Sequence, residues 1–239
     1  MSKIADNFQK VKDKIEDTCA KCARSSSEIT LVVVVKSANF DQIKEVIRLG
    51  CTQLGENRVQ HLKIITDDLA ALAQQNHQEN SIYTKVNWHM IGHLQRNKVR
   101  QLLRTSEFIH SVDTLRLAEE ISKTASRLDI CPNILMEINC SQEPQKYGVP
   151  VGAAIHLAEQ IATMPNIKLA GLMTMAPLTL NKDLVSAAFG RAKELFEEIR
   201  GEKIAGAHFK HLSMGMSQDY QIAIEQGATI LRIGSAIFT

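Results

Sequence analysis

The apolar positions along the chain switch repeatedly between two spacings. Thr30-Leu-Val-Val-Val-Val35 is an unbroken apolar, β-branched run, the pattern of a strand buried on both faces. Asp41 to Leu49 then carries helical spacing and stops at Gly50, a residue suited to a helix C-cap. The alternation recurs. Thr52-Gln-Leu-Gly55 predicts a short strand, followed by a helix from Arg58 to Leu72. Asn87 to Gly92 predicts a strand, followed by a helix through Val99 and Leu103. Glu107 to Val112 leads into a helix opened by Asp113 or Thr114 and running through Leu128. Asn133 to Asn139 leads into a helix over Ala153 to Ala162, and Lys168 to Met173 into a long one around Leu184 to Ile199. Phe209-Lys-His-Leu212 precedes a helix around Tyr220 to Glu225, closed by Gly227, and Thr229 to Ile233 makes an eighth strand.

Eight strands with intervening helices behind one extra N-terminal helix are the arithmetic of an α/β (β/α)8 TIM barrel. The 239 residues fit one such domain over 1–239, since these barrels run to roughly 250 residues. A doubly wound sheet is the alternative, but it seldom needs eight parallel strands and the chain has neither GxGxxG nor GxxxxGK[ST]. The polar stretch Gln74 to Ser81 reads as a solvated insertion before the third strand.

Composition narrows the classes. A 44% hydrophobic content supports a substantial core, and a net charge of +2 gives no footing for nucleic acid. No apolar run approaches the ~20 residues that span a bilayer, and the N-terminus lacks the apolar core of a secretory signal, so a cytoplasmic protein is expected. Cys19, Cys22, Cys51, Cys131 and Cys140 form an odd set without framework spacing and are expected as reduced thiols. Cys19-Ala-Lys-Cys22 lacks the second pair a zinc site needs and falls in a charged helix.

In such barrels chemistry sits where strands end. Lys36 ends the first strand, where partial burial at the barrel mouth would favour the neutral amine that a Schiff base with an aldehyde requires. A solvated lysine is the plain alternative. Phosphate often binds after strands seven and eight, where this chain has His211-Leu-Ser-Met-Gly-Met-Ser217 and Arg232-Ile-Gly-Ser235. Ser213 and Ser235 offer hydroxyls there, and Gly215 and Gly234 allow close backbone approach; an ordinary turn with Ser217 as a helix cap is the alternative. His89 and His93 have zinc-helix spacing, but His89 falls in a strand, so no metal is expected. The basic run Gln95 to Arg100 opens a helix and reads as a solvated face.

Six motifs in order carry a resemblance. They are Lys36 after its Val run, Gly55-Glu-Asn-Arg58, Trp88 to Lys98, Gly171 to Pro177, Leu212 to Asp219 and Arg232 to Phe238. Together they resemble the pyridoxal phosphate homeostasis protein family, also called YggS or PROSC, over nearly the whole chain. The resemblance implies a barrel of the alanine-racemase N-terminal type that binds pyridoxal 5′-phosphate (PLP) and serves vitamin B6 supply. It implies Lys36 as the Schiff-base lysine, and Ser213, Gly234 and Ser235 as phosphate contacts. Arg232 would face the pyridine nitrogen, and Asn57 would lie near the cofactor. Residues two apart on a strand share a face, which independently aligns Arg232 with Gly234; a salt bridge inside the barrel is the alternative for Arg232. The chain departs from the family at Ser37-Ala-Asn39, at Ser235 where Thr is commoner, and around Lys146, a residue that leaves a second aldehyde site open.

Three functions follow from this reading. The first is a PLP carrier without efficient turnover, acting as a monomer, with apo PLP enzymes as possible recipients. The others are a PLP-dependent amino-acid racemase and a barrel aldolase or isomerase using Lys36 on a sugar phosphate. Arg232 favours the first, because a permanent cation at the ring nitrogen weakens the electron sink. Racemases of this fold also draw an acid–base tyrosine from a further C-terminal domain, whereas this chain has only Tyr83, Tyr147 and Tyr220.

Overall fold

The computed structural model describes residues 2–75, 82–106, 108–141, 143 and 145–239. Most of the polar stretch read as an insertion, residues 76–81, lies outside them, as does Glu107.

Along the chain the elements run α1 (Lys3–Lys21), β1 (Thr30–Val34), α2 (Phe40–Arg48), β2 (Gln53–Glu56), α3 (Val59–Gln75), β3 (Asn87–Met90), α4 (Val99–Leu102), β4 (Phe108–Val112), α5 (Leu115–Leu128) and β5 (Asn133–Asn139). They continue with α6 (Ala154–Ala162), β6 (Lys168–Thr174), α7 (Lys182–Gly201), β7 (His211–Ser213), α8 (Tyr220–Glu225), β8 (Ile230–Ile233) and α9 (Ser235–Phe238). Every strand pairing is parallel, and β1 pairs both β2 and β8, so these strands close into a (β/α)8 ring. The two-residue strand Val149–Pro150 adds beside the end of β5.

Local chemistry explains most boundaries. Asn39 accepts from the Gln42 amide while Gln42 returns the bond to the Asn39 amide, a reciprocal cap that starts α2. Thr114, not Asp113, caps α5 by accepting from the Leu117 amide. β7 begins two residues later than the apolar run suggested, because Gly206–His208 takes a 3-10 turn that carries Phe209 into the outer core. Helix α1 has Ile4, Phe8, Val11 and Ile15 on one buried stripe, each such side chain stabilising by about 1.5–3 kcal/mol. Asn7 donates to the Ile237 carbonyl at 3.2 Å and Arg24 to the carbonyls of Ile224 and Ala228, tying α1 and the turn after it to α8 and α9.

The core is double. A large outer cluster lies between helices and strands, and a small inner cluster of Val32, Leu135, Ala170, Met173 and Ile230 fills the barrel. Val32 and Ile230 identify the inward register of β1 and β8, which carries the positions at the mouth.

Candidate functional site

Alternation places Val32 and Val34 on one face of β1, and continuing it brings Lys36 to the mouth. The lysine lies two residues past the strand and is exposed, so the partial burial expected of it is absent. Just past the neighbouring strand β8, Gly234 stands opposite Val34 in the register. A Cβ there would meet the Val34 carbonyl oxygen at 3.0 Å, so glycine is what lets the end of β8 lie against β1. Lys36 and the Gly234-Ser235 loop therefore come from adjacent strand ends.

The loop after β7 closes over this place. Gly215 has φ +91°, and a Cβ on it would sit 2.6 Å from that of Ala223. Ser217 does not cap α8; the N-cap position is Asp219, whose carboxylate accepts from the Met216 amide at 2.6 Å. Its hydroxyl accepts from the amides of Gly234 at 3.3 Å and Ala236 at 3.2 Å. Two backbone N–H groups thus converge on one oxygen at the start of α9, beside the exposed Ser235.

Below the loop sits Arg232, buried to 4% exposure. The expected inward face is correct, and among the described residues Arg232 forms no salt bridge. The guanidinium donates to the Ser213 hydroxyl at 2.6 Å and to the Thr174 carbonyl at 3.0 Å. Burial lowers its pKa to about 10, partly offset by the carboxylates of Glu137 and Asp219. Glu137, on β5, is itself raised to about 7, first by burial, then by Asp113, with Arg232 pulling the other way. Ser213 is fully buried and joins Arg232 to His110.

The family model of the alanine racemase N-terminal domain matches residues 2–239. A pyridoxal phosphate homeostasis protein of Aquifex aeolicus is 35% identical over 233 residues, covering 98% of this chain and 96% of the relative. The chain belongs to the pyridoxal phosphate homeostasis protein family. A protein of Bifidobacterium adolescentis superposes with TM-score 0.90 at 30% identity, over 99% of this chain and 94% of that one. PipY of Synechococcus elongatus, solved with PLP bound, superposes with TM-score 0.79 at 27% identity, over 94% of this chain and 100% of PipY.

Several of the motifs shared with the pyridoxal phosphate homeostasis proteins acquire physical reasons here. In Gly55-Glu-Asn-Arg58 the buried Glu56 carboxylate accepts from the amides of Asn57 and Arg58 and contacts His61 at 2.8 Å. That carboxylate fixes the turn carrying Asn57, which is half-buried and backs onto Gly92; a Cβ on Gly92 would fall 2.4 Å from the Asn57 carbonyl oxygen. In Trp88 to Lys98 the two histidines part company. His89 points into the barrel, where Nδ1 meets His110 and Nε2 meets Gln53. His93 lies outside, 3.5 Å from Asp113 and stacked on Tyr147 at 4.4 Å. Lys146 is held at the mouth by an ion pair with Glu143 and a 2.9 Å bond to the Ala176 carbonyl. Among the described residues no helix is long and apolar enough to cross a membrane. Gln53 and His110 carried no signal in the sequence, since each is one inward residue of a short strand.

Proposed function

We propose that the chain holds PLP at the C-terminal mouth of the barrel and stores or delivers it within the cytoplasm, without efficient turnover. Lys36 supplies the amine for a Schiff base with the aldehyde. Gly234 and Ser235 receive the phosphate, Arg232 faces the pyridine nitrogen, and Asn57 lines the ring. Apo PLP enzymes are the recipients.

The donor set fits the cofactor. An exposed amine, a buried cation with N–H groups left over from Ser213 and Thr174, and amides converging on an oxygen are what an aldehyde, a ring nitrogen and a phosphate each require. When bound, PLP supplies an aldehyde that exchanges amines and a ring that withdraws electrons. Arg232 limits the second property. A guanidinium can only donate, so it pairs with an unprotonated ring nitrogen and leaves the ring a weak sink. The fixed geometry of this buried cation is the observation that carries the reading.

The test incubates the PLP-loaded protein with a panel of L- and D-amino acids and, separately, with an apo PLP enzyme. Reactivation of the apoenzyme without amino-acid turnover is expected. Racemisation at ordinary enzyme rates, about 1–10³ per second, overturns the carrier in favour of a racemase.

A further inference from the structure

A continuous line of polar side chains crosses the inside of the barrel. Arg232 donates to Ser213 at 2.6 Å, Ser213 meets His110 Nδ1 at 2.9 Å, and His110 Nε2 meets His89 Nδ1 at 2.9 Å. His89 Nε2 then meets the Gln53 side-chain oxygen Oε1 at 2.8 Å. Every link is at hydrogen-bond distance, and His89, His110, Ser213 and Arg232 are all buried. Four different strands supply the members besides Arg232, so no local motif produces the line.

Its direction is set from the Gln53 end. The Gln53 oxygen can only accept, so His89 carries its proton on Nε2 and offers a bare Nδ1. His110 must then donate from Nε2, which leaves its own Nδ1 bare. That nitrogen takes the Ser213 hydroxyl proton. Ser213 turns lone pairs alone toward Arg232, and a guanidinium, having no acceptor, needs them. All four bonds therefore run the same way, from the cation to the barrel floor. The groups around the rings agree: His89 is lowered to about 3 by burial and by His211, and His110 well below its ordinary value by burial, His89, Arg232 and His211. Both rings stay neutral.

We infer that His110 and His89 are positioning residues for the cofactor's ring, holding the Ser213 hydroxyl as a fixed acceptor that aims Arg232 at the pyridine nitrogen. This rests on the PLP reading above for its consequence, although the direction of the line does not. The line ends at an open cavity of 580 Å³ lined by Gln53, Asn87, His89, Ser106, Asn133 and His211, the floor of the barrel. Arg232 is thus braced from the end opposite its ligand.

Two measurements decide it. Nitrogen-15 NMR of the PLP-free protein should find His89 and His110 as neutral Nε2–H tautomers from pH 6 to 8. A cationic ring or an Nδ1–H tautomer at His110 overturns the direction. His110→Phe, which keeps ring packing but offers no acceptor, should shift the visible band of bound PLP and weaken PLP and pyridoxal alike by about three- to tenfold. His110→Asn, whose carbonyl can reach toward Ser213, should restore much of the band. A lower melting temperature with unchanged band and affinity shows a merely structural role and overturns the inference. If the native protein forms no adduct at Lys36, the carrier reading fails separately, and the tautomers still test the line.

Discussion

At the mouth of the barrel the chain presents an amine, backbone amides and a glycine pinched against the neighbouring strand. At the floor it presents Gln53, Asn87, Asn133 and neutral imidazoles around a cavity. Both ends are open and polar, yet only the mouth carries groups that can hold an aldehyde and an anion. The difference comes from position on the strand. Mouth residues follow the last hydrogen-bonded pair, where loops are free to choose their chemistry. At the floor, where strands begin, Gln53 is satisfied across the ring by His89, which in turn bonds His110. Arg232 touches both ends: it donates to the Thr174 carbonyl at the end of β6, and through Ser213 its contacts run toward the floor.

The largest test of the contrast removes the amine. Lys36→Ala should abolish the visible band of the PLP-loaded protein and the adduct that borohydride fixes there. Lys146 is already committed to Glu143 and the Ala176 carbonyl, so it should not substitute. Mapping the reduced adduct of the native protein to Lys146, or to any lysine besides Lys36, moves the site away from β1.

A second test probes how costly charge is inside the ring. Glu137 has its pKa raised from 4.5 to about 7, so the folded state holds its proton more tightly than the unfolded chain. Stability from this group is complete below about pH 4.5 and is lost as pH rises through 7. Glu137→Gln removes that loss. Relative to the native chain, the variant should gain stability from pH 4.5 to 7, levelling off on the order of 3 kcal/mol. The buried histidines act with the opposite sign, because lowered imidazole values favour the fold as pH rises from His89's value of about 3 toward 6.5. The difference between the two proteins cancels them. Denaturant melts of both proteins at several pH values measure it, and a flat difference refutes the raised carboxyl.

The sequence made the ring legible because burial on both faces leaves uninterrupted apolar runs such as Leu31 to Val35, and glycines such as Gly50 and Gly227 mark where helices stop. It also exposed the mouth, since Lys36 and Gly234-Ser235 interrupt or follow those runs. It could not show that Ser213 serves Arg232, because a serine inside a three-residue strand looks the same whether it faces a phosphate or a guanidinium. The partners that decide the matter, His110 and Arg232, lie 103 and 19 residues away and meet it only when the barrel closes. The four-residue α9 was missed for a related reason: one turn has too few positions to show periodicity.

The smallest and sharpest test separates the two serines that the sequence treated alike. Ser235 is exposed at the start of α9, beside amides that already converge on the Ser217 oxygen. Ser213 is fully buried against a cation. If Ser235 meets the phosphate, Ser235→Ala should weaken PLP by about 1–3 kcal/mol, the range for hydrogen bonds to a charged group, and leave pyridoxal nearly unaffected. If Arg232 faces the ring nitrogen, Ser213→Ala should instead weaken both ligands to a similar degree, because each has that nitrogen and only one has the phosphate. Titrations of the two variants with the two ligands form a closed square of four differences. Phosphate dependence in the Ser213 variant would return that serine to the loop. Phosphate independence in the Ser235 variant would leave the phosphate to the backbone amides of Gly234 and Ala236, with Ser217 yielding its place.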